Sequence, residues 1–246
     1  MGKAKNIRAD ELLVEQGYFA DAAQVAPAVY AREVRINDVY ISSPAVKVPA
    51  DANIFVKGAK RFVSRGGHKL QGALDHFQQS VEGLRCIDVG ASAGGFTDCL
   101  LQAGAAQVTC VDVDYGLLNW AIRQHPRVVV FERTNIKLAD PAQLGAPFDV
   151  VVTDLSFIGL AGLAPTFAAL CQPGSVFIGL VKPQFESKHE ETDAGVVRDE
   201  SVRLRTVDEV SQALEAAGFE VTGVVPSSIT GKRAGNQEYL LRAVKR

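Results

Sequence analysis

The stretch Asp88-Val-Gly-Ala-Ser-Ala-Gly-Gly-Phe-Thr97 decides the fold of this 246-residue chain. It follows an apolar run at residues 84–89 and opens a segment with helical spacing. Glycines at a strand-to-helix turn let a ligand approach the backbone, and the first turn of the helix offers unpaired N–H groups. The stretch therefore predicts a ligand-binding loop at the beginning of a βα unit.

The segments on both sides of this loop alternate between strand-like and helical periodicity. Strand-like runs lie at residues 84–89, 107–111, 128–131, 148–153, 176–181, 220–225 and 238–243, and helical stretches lie near 68–79, 94–103, 116–124, 157–170 and 200–217. This alternation predicts an α/β domain with a doubly wound, mostly parallel sheet of those seven strands. Because no helical stretch separates the last two runs, we expect a C-terminal antiparallel hairpin. Such a hairpin distinguishes Rossmann-like methyltransferase sheets from those of dinucleotide dehydrogenases.

Two familiar interpretations of the glycine loop fit poorly. A dinucleotide site has GxGxxG spacing, whereas the glycines here are Gly90, Gly94 and Gly95. The run from Gly90 to Gly94 also matches the GxSxG nucleophile elbow around Ser92. A hydrolase would need a downstream histidine, and the later histidines are His125 and His189, the second in a charged loop. Both interpretations are therefore disfavoured.

An S-adenosylmethionine loop fits better. Asp88 lies near the end of the first strand of this domain, beside the glycine turn, where we expect it to face the ligand. Asp112 follows the second strand, where a carboxylate can accept hydrogen bonds from both ribose hydroxyls. Asp114 is an alternative ribose ligand, and a simple turn residue is the structural alternative for Asp112.

The N-terminal quarter has a different organisation. Residues 7–19 predict an amphipathic helix, and a second, shorter helix is predicted for 21–30, although Pro27 weakens its second half. Residues 33–41 alternate around Asn37-Asp38, which indicates a hairpin, and 54–56 predict a further strand. We expect a small α+β domain at 1–58, a basic linker at 59–67 and the α/β domain at 68–246.

The charge distribution supports a nucleic-acid partner more than the net charge of −2 does. Residues 1–63 carry nine Lys/Arg and seven Asp/Glu, a net of +2, and the remainder carries seventeen and twenty-one, a net of −4. No acidic residue occurs between Asp51 and Asp75, a window that contains several cations. Such a basic strip can hold phosphates, or it can be a solvated linker. The candidate RNA-binding residues in it are Lys57, Lys60, Arg61 and Arg65.

The composition indicates a cytoplasmic protein without a membrane segment or a metal site. No run approaches the ~20 apolar residues of a membrane helix, and no apolar run follows the basic N-terminus as in a signal peptide. The four cysteines show neither a CxxC pair nor metal-ligand spacing, so we expect reduced thiols.

Several motifs, taken in order along the chain, resemble one family. They are Val63-Ser-Arg-Gly-Gly-His-Lys-Leu70, the glycine loop, Asp112-Val-Asp-Tyr-Gly116, Glu132-Arg-Thr-Asn135, Asp154-Leu-Ser-Phe-Ile158, Leu180-Val-Lys-Pro-Gln-Phe-Glu186 and Gly235-Asn-Gln-Glu-Tyr239. The pattern is similar to that of the TlyA (hemolysin A) family, which joins an S4 RNA-binding domain to an FtsJ-like ribose methyltransferase. One departure is Asp21-Ala22, where S4 domains usually have a Ser-Arg pair.

The resemblance implies S-adenosylmethionine-dependent 2′-O-methylation of ribosomal RNA, usually at cytidines of both ribosomal subunits. It implies a catalytic set that falls on Lys69, Asp154, Lys182 and Glu238. Together with the loop analysis, it gives the candidate cofactor-binding residues Asp88, Gly90, Ser92, Gly94, Gly95, Phe96, Asp112, Asn135 and Asp154.

The strand positions independently place two of these side chains together. Asp154 and Lys182 each follow a predicted parallel strand directly, so both belong to the carboxyl edge of the sheet. The structural alternatives are a helix N-cap for Asp154 and a solvated surface lysine for Lys182. Two other functions stay open: a module that binds RNA and S-adenosylmethionine with little catalysis, and a haemolysin, which lacks support from any amphipathic membrane hairpin.

Overall fold

The computed structural model describes residues 6–15, 18–19, 21–50, 52, 54–58, 61–227, 229 and 235–246. The chain divides into two compact units, Met1–Arg61 and Phe62–Arg246. The boundary falls inside the stretch expected to be a linker, because Phe62 is fully buried in the second unit and a helix begins at Gly66. In the part of the chain described, no helix is both long enough and apolar enough to cross a membrane.

The first unit contains short strands around two helices. Its elements are β1 (Asn6–Arg8), α1 (Ala9–Glu15), α2 (Ala22–Tyr30), β2 (Val34–Ile36), β3 (Val39–Tyr40), β4 (Lys47–Pro49) and β5 (Ile54–Val56). β1 pairs antiparallel with β4, and β2 pairs antiparallel with both β3 and β5. The helix predicted from residue 7 begins only at Ala9, because Ile7 pairs with Val48.

The second helix and the hairpin of this unit agree with the sequence prediction. Asp21 caps α2, since its carboxylate accepts a hydrogen bond from the Gln24 amide at 3.1 Å. The helix continues through Pro27 to Tyr30. At the β2–β3 turn, Asn37 and Asp38 have φ angles of 50° and 63°, which this tight connection requires.

The second unit is built on one large sheet. Its helices are α3 (Gly66–Phe77), α4 (Gly95–Gln102), α5 (Trp120–Arg123), α6 (Pro141–Leu144), α7 (Ala164–Ala169), α8 (Pro183–Glu186) and α9 (Glu200–Ala216). Its strands are β6 (Arg85–Val89), β7 (Gln107–Val111), β8 (Val128–Phe131), β9 (Phe148–Thr153), β10 (Cys171–Val181), β11 (Phe219–Pro226) and β12 (Tyr239–Lys245). Short 3₁₀ turns lie at Ala161–Leu163 and His189–Glu191.

The described strands follow the order β11-β12-β10-β9-β6-β7-β8. The five strands from β10 through β9, β6 and β7 to β8 are each parallel to their neighbours in this order, whereas β12 is antiparallel to both β10 and β11. The expected doubly wound sheet with a C-terminal antiparallel hairpin is confirmed. The last strand lies inside the sheet, between β10 and β11, and not at its edge.

Apolar side chains cover both faces of this sheet. On one face, Val150 and Val152 of β9 pack with residues of α3 and α4, and on the other, Val151 packs with residues of α7 and α9. Burial on both faces explains the continuous apolar strands in the sequence. The functional edge therefore lies at the ends of the strands, where polar residues begin.

Two predicted helices are shorter than expected. The helix predicted near 116–124 contains only Trp120–Arg123, because the Gly116 amide donates to Glu132 and Asn119 caps the helix at Ala121. The helix predicted near 157–170 does not begin before residue 161. The reason is Phe157, whose φ of 67° is incompatible with a right-handed helix.

Candidate active site

The glycine loop connects β6 to α4 in a tight backbone path. Gly90 and Gly94 have φ angles of 84° and 89°, in the left-handed region that favours glycine. A Cβ at Gly90 would lie 2.8 Å from Leu155 Cδ2, and one at Gly94 would lie 2.8 Å from Leu118 Cδ1. A side chain would be strained at both positions and would collide with a leucine, so the loop follows this path because glycine occupies them.

Asp112 follows β7 directly and supports the loop. Its Oδ2 accepts a hydrogen bond from the Ser92 amide at 2.7 Å, and its Oδ1 accepts one from the Asp114 amide at 2.9 Å. Asp112 and the exposed Asp114 both line a small hollow next to the loop. The alternative of either aspartate as the ribose ligand therefore stays open. Asn135 is exposed and binds the Lys137 amide, outside the described linings of the hollow and of the main cavity.

A cavity of about 600 Å³ opens beside the glycine loop at the carboxyl edge of the sheet. The proposed catalytic side chains Lys69, Asp154, Lys182 and Glu238 all line it. Its other described lining residues are Ser64, Arg65, Gly66, Gly90, Ala91, Ser92, Ala93, Gly95, Phe96, Ser156, Phe157, Gln184, Phe185, Ala194, Gly195 and Asn236. This lining contains three cations against two carboxylates, and among the residues described it includes no histidine. The excess of positive charge suits an anionic substrate. The lack of a histidine in the described lining disfavours a serine-hydrolase triad.

Lys182 follows β10 and makes two polar contacts. Its Nζ lies 2.6 Å from Asp154 Oδ1, an ion pair without hydrogen-bond alignment. The same Nζ donates a hydrogen bond to Ser156 Oγ at 2.9 Å. Lys182 is buried, and Asp154 is partly exposed to the cavity. Asp154 and Ser156 thus fix the position of the ammonium group from the end of the neighbouring strand.

Lys69 and Glu238 form a second ion pair. Both side chains are buried, and Lys69 Nζ donates to Glu238 Oε2. Lys69 lies on α3, whose Gly67 packs so closely on Phe62 that a Cβ there would overlap the ring at 2.3 Å. The beginning of this helix is also tied to α4, because the Val63 amide donates to Asp98 at 2.8 Å. These contacts direct Lys69 into the cavity.

The direction of β12 explains why Glu238 reaches this edge. Residue 238 immediately precedes β12, and Tyr239 pairs with Val181 in the antiparallel register. The beginning of β12 therefore lies beside the end of β10, where Lys182 follows. Since β9 is parallel to β10, Asp154 ends at the same edge.

The residues from Phe62 onward match a known family. The family model for FtsJ-like methyltransferases covers residues 62–245. The chain belongs to the FtsJ-like methyltransferase family. This membership confirms the predicted methyltransferase fold and an enzyme that uses S-adenosylmethionine. The roles of individual site residues stay predictions.

Whole-chain relatives of this FtsJ-like methyltransferase carry the names that the resemblance suggested. The chain is 42% identical over 241 residues to the 16S/23S rRNA (cytidine-2′-O)-methyltransferase TlyA of Mycobacterium tuberculosis, covering 97% of this chain and 90% of that protein. It is 34% identical over 236 residues to hemolysin A of Brachyspira hyodysenteriae, covering 95% and 98%. A Streptococcus thermophilus protein with a provisional hemolysin name superposes with a TM-score of 0.73 at 37% identity, covering 98% and 88%.

Several residues that line the cavity of this methyltransferase escaped the sequence analysis. Ser156 and Phe157 follow Asp154, and Phe185 follows Lys182, all within motifs that had been noted for other residues. The Phe157 side chain is 91% exposed, and its ring centroid lies 5.3 Å from that of Phe185. Its positive φ places a large apolar ring at the cavity rather than in the core. A preference for buried phenylalanine gives no sequence signal for such a position.

The candidate RNA-binding residues fall in different parts of the chain. Lys57 is exposed and Arg61 half-buried in the first unit, and Lys60 lies outside the described residues. Arg65 belongs to the second unit, where it is exposed and lines the cavity. Arg65 thus lines the methyltransferase cavity, as does Lys69 of the same window.

The residues beside the glycine loop fit S-adenosylmethionine by their chemistry. The loop has no side chain at Gly90 or Gly95, and its backbone faces the cavity. Asp112 offers a carboxylate at the neighbouring hollow, and Phe96 contributes an apolar wall to the cavity. A nucleoside with a charged tail needs these three features: close backbone approach, a hydroxyl acceptor and an apolar surface.

Asp88, which was expected to face the ligand, is not part of the described cavity lining. It is fully buried within β6, and its Oδ2 accepts hydrogen bonds from the Thr97 amide at 2.9 Å and the Thr97 hydroxyl at 2.7 Å. Its Oδ1 is buried without a partner among the described residues. Burial raises the pKa of Asp88 to about 7. The sequence placed Asp88 near the turn correctly, but the pleat directs its side chain under α4 and away from the cavity.

The buried Asp88 predicts a pH-dependent stability. The folded chain retains the proton on this carboxyl up to about pH 7, whereas the unfolded chain releases it near 3.8. The stability that Asp88 contributes is therefore complete below that lower pH and is lost as pH rises to about 7. We expect the unfolding free energy of wild type to fall by about 1.4 kcal/mol per pH unit relative to Asp88→Asn in this interval.

Urea denaturation of both proteins between about pH 5 and pH 8 measures this difference. Asp140→Asn is the matched control, because Asp140 is an N-cap whose acceptor oxygen survives the substitution. Parallel stability curves for wild type and Asp88→Asn would show that Asp88 is ionised throughout and would contradict the prediction.

Proposed function

We propose that this chain is a cytoplasmic, S-adenosylmethionine-dependent ribosomal RNA 2′-O-methyltransferase that acts on cytidine in ribosomal subunits. The observation that carries the proposal is the convergence of Lys69, Asp154, Lys182 and Glu238 on one cavity beside the glycine loop. The name of the Mycobacterium tuberculosis relative supports the ribose of cytidine in 16S and 23S rRNA as the target.

The cofactor supplies an electrophilic methyl group on a sulfonium when it is bound. In this proposal the loop from Gly90 to Gly95 binds it through the backbone, and Asp112 accepts hydrogen bonds from its ribose hydroxyls. These residues lie at the ends of β6 and β7, while the proposed catalytic residues lie on α3, at the ends of β9 and β10 and at the beginning of β12. The cavity between them is where the target nucleotide would enter.

Lys182 is the proposed base or electrostatic assistant for the 2′-hydroxyl. A ribose hydroxyl is a weak acid, so attack on the methyl group needs help with the loss of its proton. Asp154 and Ser156 contact the Lys182 ammonium and fix its position in the cavity. Alignment of the two reactants supplies the larger share of the rate, roughly 7–11 kcal/mol of the barrier.

Lys69 and Glu238 have a supporting role in this proposal. Lys69 provides a second cation in the cavity, and Glu238 holds its ammonium from β12. A fixed cation beside the target ribose can bind the adjacent phosphate. With Arg65, it gives the cavity its excess of positive charge.

Phe157 is the proposed stacking platform for the target base. The ring is exposed at a polar cavity and so contributes little to the core, and nucleobases stack on such rings in RNA complexes. Its contact with Phe185 holds the ring beside the residues that follow Lys182. The base would then rest on Phe157 while its ribose reaches the lysine.

Delivery of the RNA is assigned to the first unit, which we propose is an S4-like domain. Its Lys57 and Arg61, with Lys60 and with Arg65 of the second unit, would contact phosphates and position the substrate. Such contacts carry affinity and salt dependence rather than sequence specificity.

The first prediction of this proposal concerns the cofactor. Asp112→Ala should weaken S-adenosylmethionine binding at least tenfold, because a charge-assisted hydrogen bond contributes about 1.5–3 kcal/mol. Calorimetry measures the change, and Asp114→Ala, which removes a neighbouring carboxylate, should bind normally. If Asp114→Ala loses the affinity and Asp112→Ala retains it, the ribose ligand is Asp114.

The second prediction tests the function itself. Lys182→Arg and Lys182→Ala should both lower the single-turnover rate of methyl transfer to ribosomal subunits about 100-fold or more, since a guanidinium does not accept the proton. Both variants should bind S-adenosylmethionine normally. The exposed Lys188 is a matched control, and Lys188→Arg should keep the wild-type rate. A near-normal rate for Lys182→Arg would exclude proton acceptance, and no transfer by wild type would reject the enzyme in favour of a binding module.

The third prediction concerns the target base. Phe157→Ala should raise the KM for RNA by roughly 5- to 100-fold, because a base–aromatic stack contributes about 1–3 kcal/mol. Phe157→Tyr should keep the wild-type KM, whereas Phe157→Gly, which suits the positive φ, should raise the KM as Phe157→Ala does, because the ring is gone. Leu138, an exposed apolar residue outside the cavity, serves as the control in Leu138→Ala. Activity of the glycine variant at the wild-type level would show that the ring is dispensable.

A further inference from the structure

Two chain segments carry the polar and aromatic contacts around Lys182. One segment follows β9 and contains Asp154, Ser156 and Phe157, and the other follows β10 and contains Lys182 and Phe185. Their regular structure is limited to the 3₁₀ turn Ala161–Leu163 in the first and the four-residue helix α8 in the second. The distances of 2.6 Å and 2.9 Å from Lys182 to Asp154 and Ser156 therefore depend on whatever fixes one segment against the other.

The carboxylate of Glu186, the last residue of α8, joins these two segments. Its Oε1 accepts a hydrogen bond from the Leu160 amide at 2.6 Å, and the neighbouring Ala161 amide also lowers the pKa of the carboxyl. These amides belong to the beginning of the 3₁₀ turn Ala161–Leu163, where backbone donors lack partners within the turn. Glu186 thus caps one segment while it belongs to the other.

Gly159 shows how closely the two segments approach. A Cβ at this position would lie 2.6 Å from Glu186 Oε2 and 3.2 Å from the Phe185 carbonyl oxygen. A methyl group at this position would therefore have to displace the Glu186 carboxylate. The spacing between the segments is therefore set by direct backbone-to-carboxylate contact rather than by a layer of flexible side chains.

The surroundings of Glu186 favour this capping role over a role as a free acid. The side chain is partly buried, and burial raises its pKa, while the two backbone amides act in the opposite direction. Glu209 of α9 adds a like charge nearby. Unlike the two carboxylates of the cavity, Glu186 is not part of the cavity lining and pairs with no cation among the described residues.

We infer that Glu186 is a positioning residue for methyl transfer, which fixes the segment of Asp154 and Ser156 against Lys182 through the amide of Leu160. The inference rests on the proposed function, because Lys182 is the group whose position matters. Glu186 contacts neither the cavity nor the glycine loop, so it acts through the residues that it holds. A misplacement of about 1 Å at a reacting centre can cost a factor of about 100 in rate.

The experiment compares Glu186→Ala with Glu186→Gln. The amide oxygen of Gln can still accept the Leu160 hydrogen bond without the negative charge, so Gln should retain most of the wild-type rate. Ala removes the acceptor and should lower the single-turnover rate at saturating RNA by roughly 10- to 100-fold. Affinity for S-adenosylmethionine should stay within threefold of wild type, because the glycine loop is not touched.

A second variant disturbs the same contact from the other side. Gly159→Ala adds a methyl group against Glu186 Oε2 and leaves every proposed catalytic side chain intact. It should lower the single-turnover rate in the same way as Glu186→Ala. Glu191→Ala is the matched control, since Glu191 lies five residues beyond Glu186 and pairs with Arg205 of α9. It should keep the wild-type rate.

Amide hydrogen exchange gives a readout that does not depend on activity. Exchange at Leu160 should accelerate in Glu186→Ala and stay slow in wild type and Glu186→Gln. Unchanged exchange in Glu186→Ala overturns the inference, and so does accelerated exchange with a rate within threefold of wild type. A Glu186→Gln rate as low as that of Ala would also overturn it, because charge and not positioning would then be the contribution. Failure of the proposed function would appear in the wild-type protein, which would then bind S-adenosylmethionine and transfer no methyl group to RNA.

Discussion

The site depends on one reversal of chain direction, the antiparallel pairing of β12 with β10. In a sheet with every strand parallel, a residue that precedes its strand would lie at the opposite edge from one that follows its strand. Because β12 runs against β10, Glu238 before β12 lies beside Lys182 after β10. Lys69 then has a carboxylate partner at the carboxyl edge, and the cavity can hold two ion pairs.

The two ion pairs limit which side chains of the cavity can be removed without destabilising the fold. Lysine ammonium groups are costly to bury, and each here is compensated by a carboxylate from a different element. Removing one partner leaves an uncompensated buried charge, which typically costs about 3–5 kcal/mol. The cavity therefore combines catalytic candidates with a stability requirement. A change at Asp154 or Glu238 has to be interpreted with a measurement of folding beside the measurement of rate.

The sequence predicted the fold well because the signals were periodic. The apolar strands and the helical stretches between them predicted the sheet, and the absence of a helix before β12 predicted its antiparallel pair. The ends of the strands predicted that Asp154 and Lys182 lie at the same edge. Where the prediction was wrong, a single local feature overrode the period: Phe157 with its positive φ, and β1 pairing that takes Ile7 out of the first helix. Asp88 was expected to face the ligand, whereas its carboxylate accepts hydrogen bonds from Thr97 of α4, because the position of a residue in a strand does not by itself determine the face on which its side chain lies.

The part of the site that sequence reasoning could not supply consists of contacts between segments. Lys69 and Glu238 are 169 residues apart, and their pairing follows from the packing of α3 against α4 and from the place of β12 in the sheet. Ser156, Phe157 and Glu186 stand in irregular segments whose geometry is set by single hydrogen bonds and close contacts, not by periodicity. The sheet brings the beginnings of these loops to one edge, and separate local contacts then fix each loop in the position that the chemistry requires. A sequence pattern locates such loops, whereas the spacing between them is a property of the folded chain.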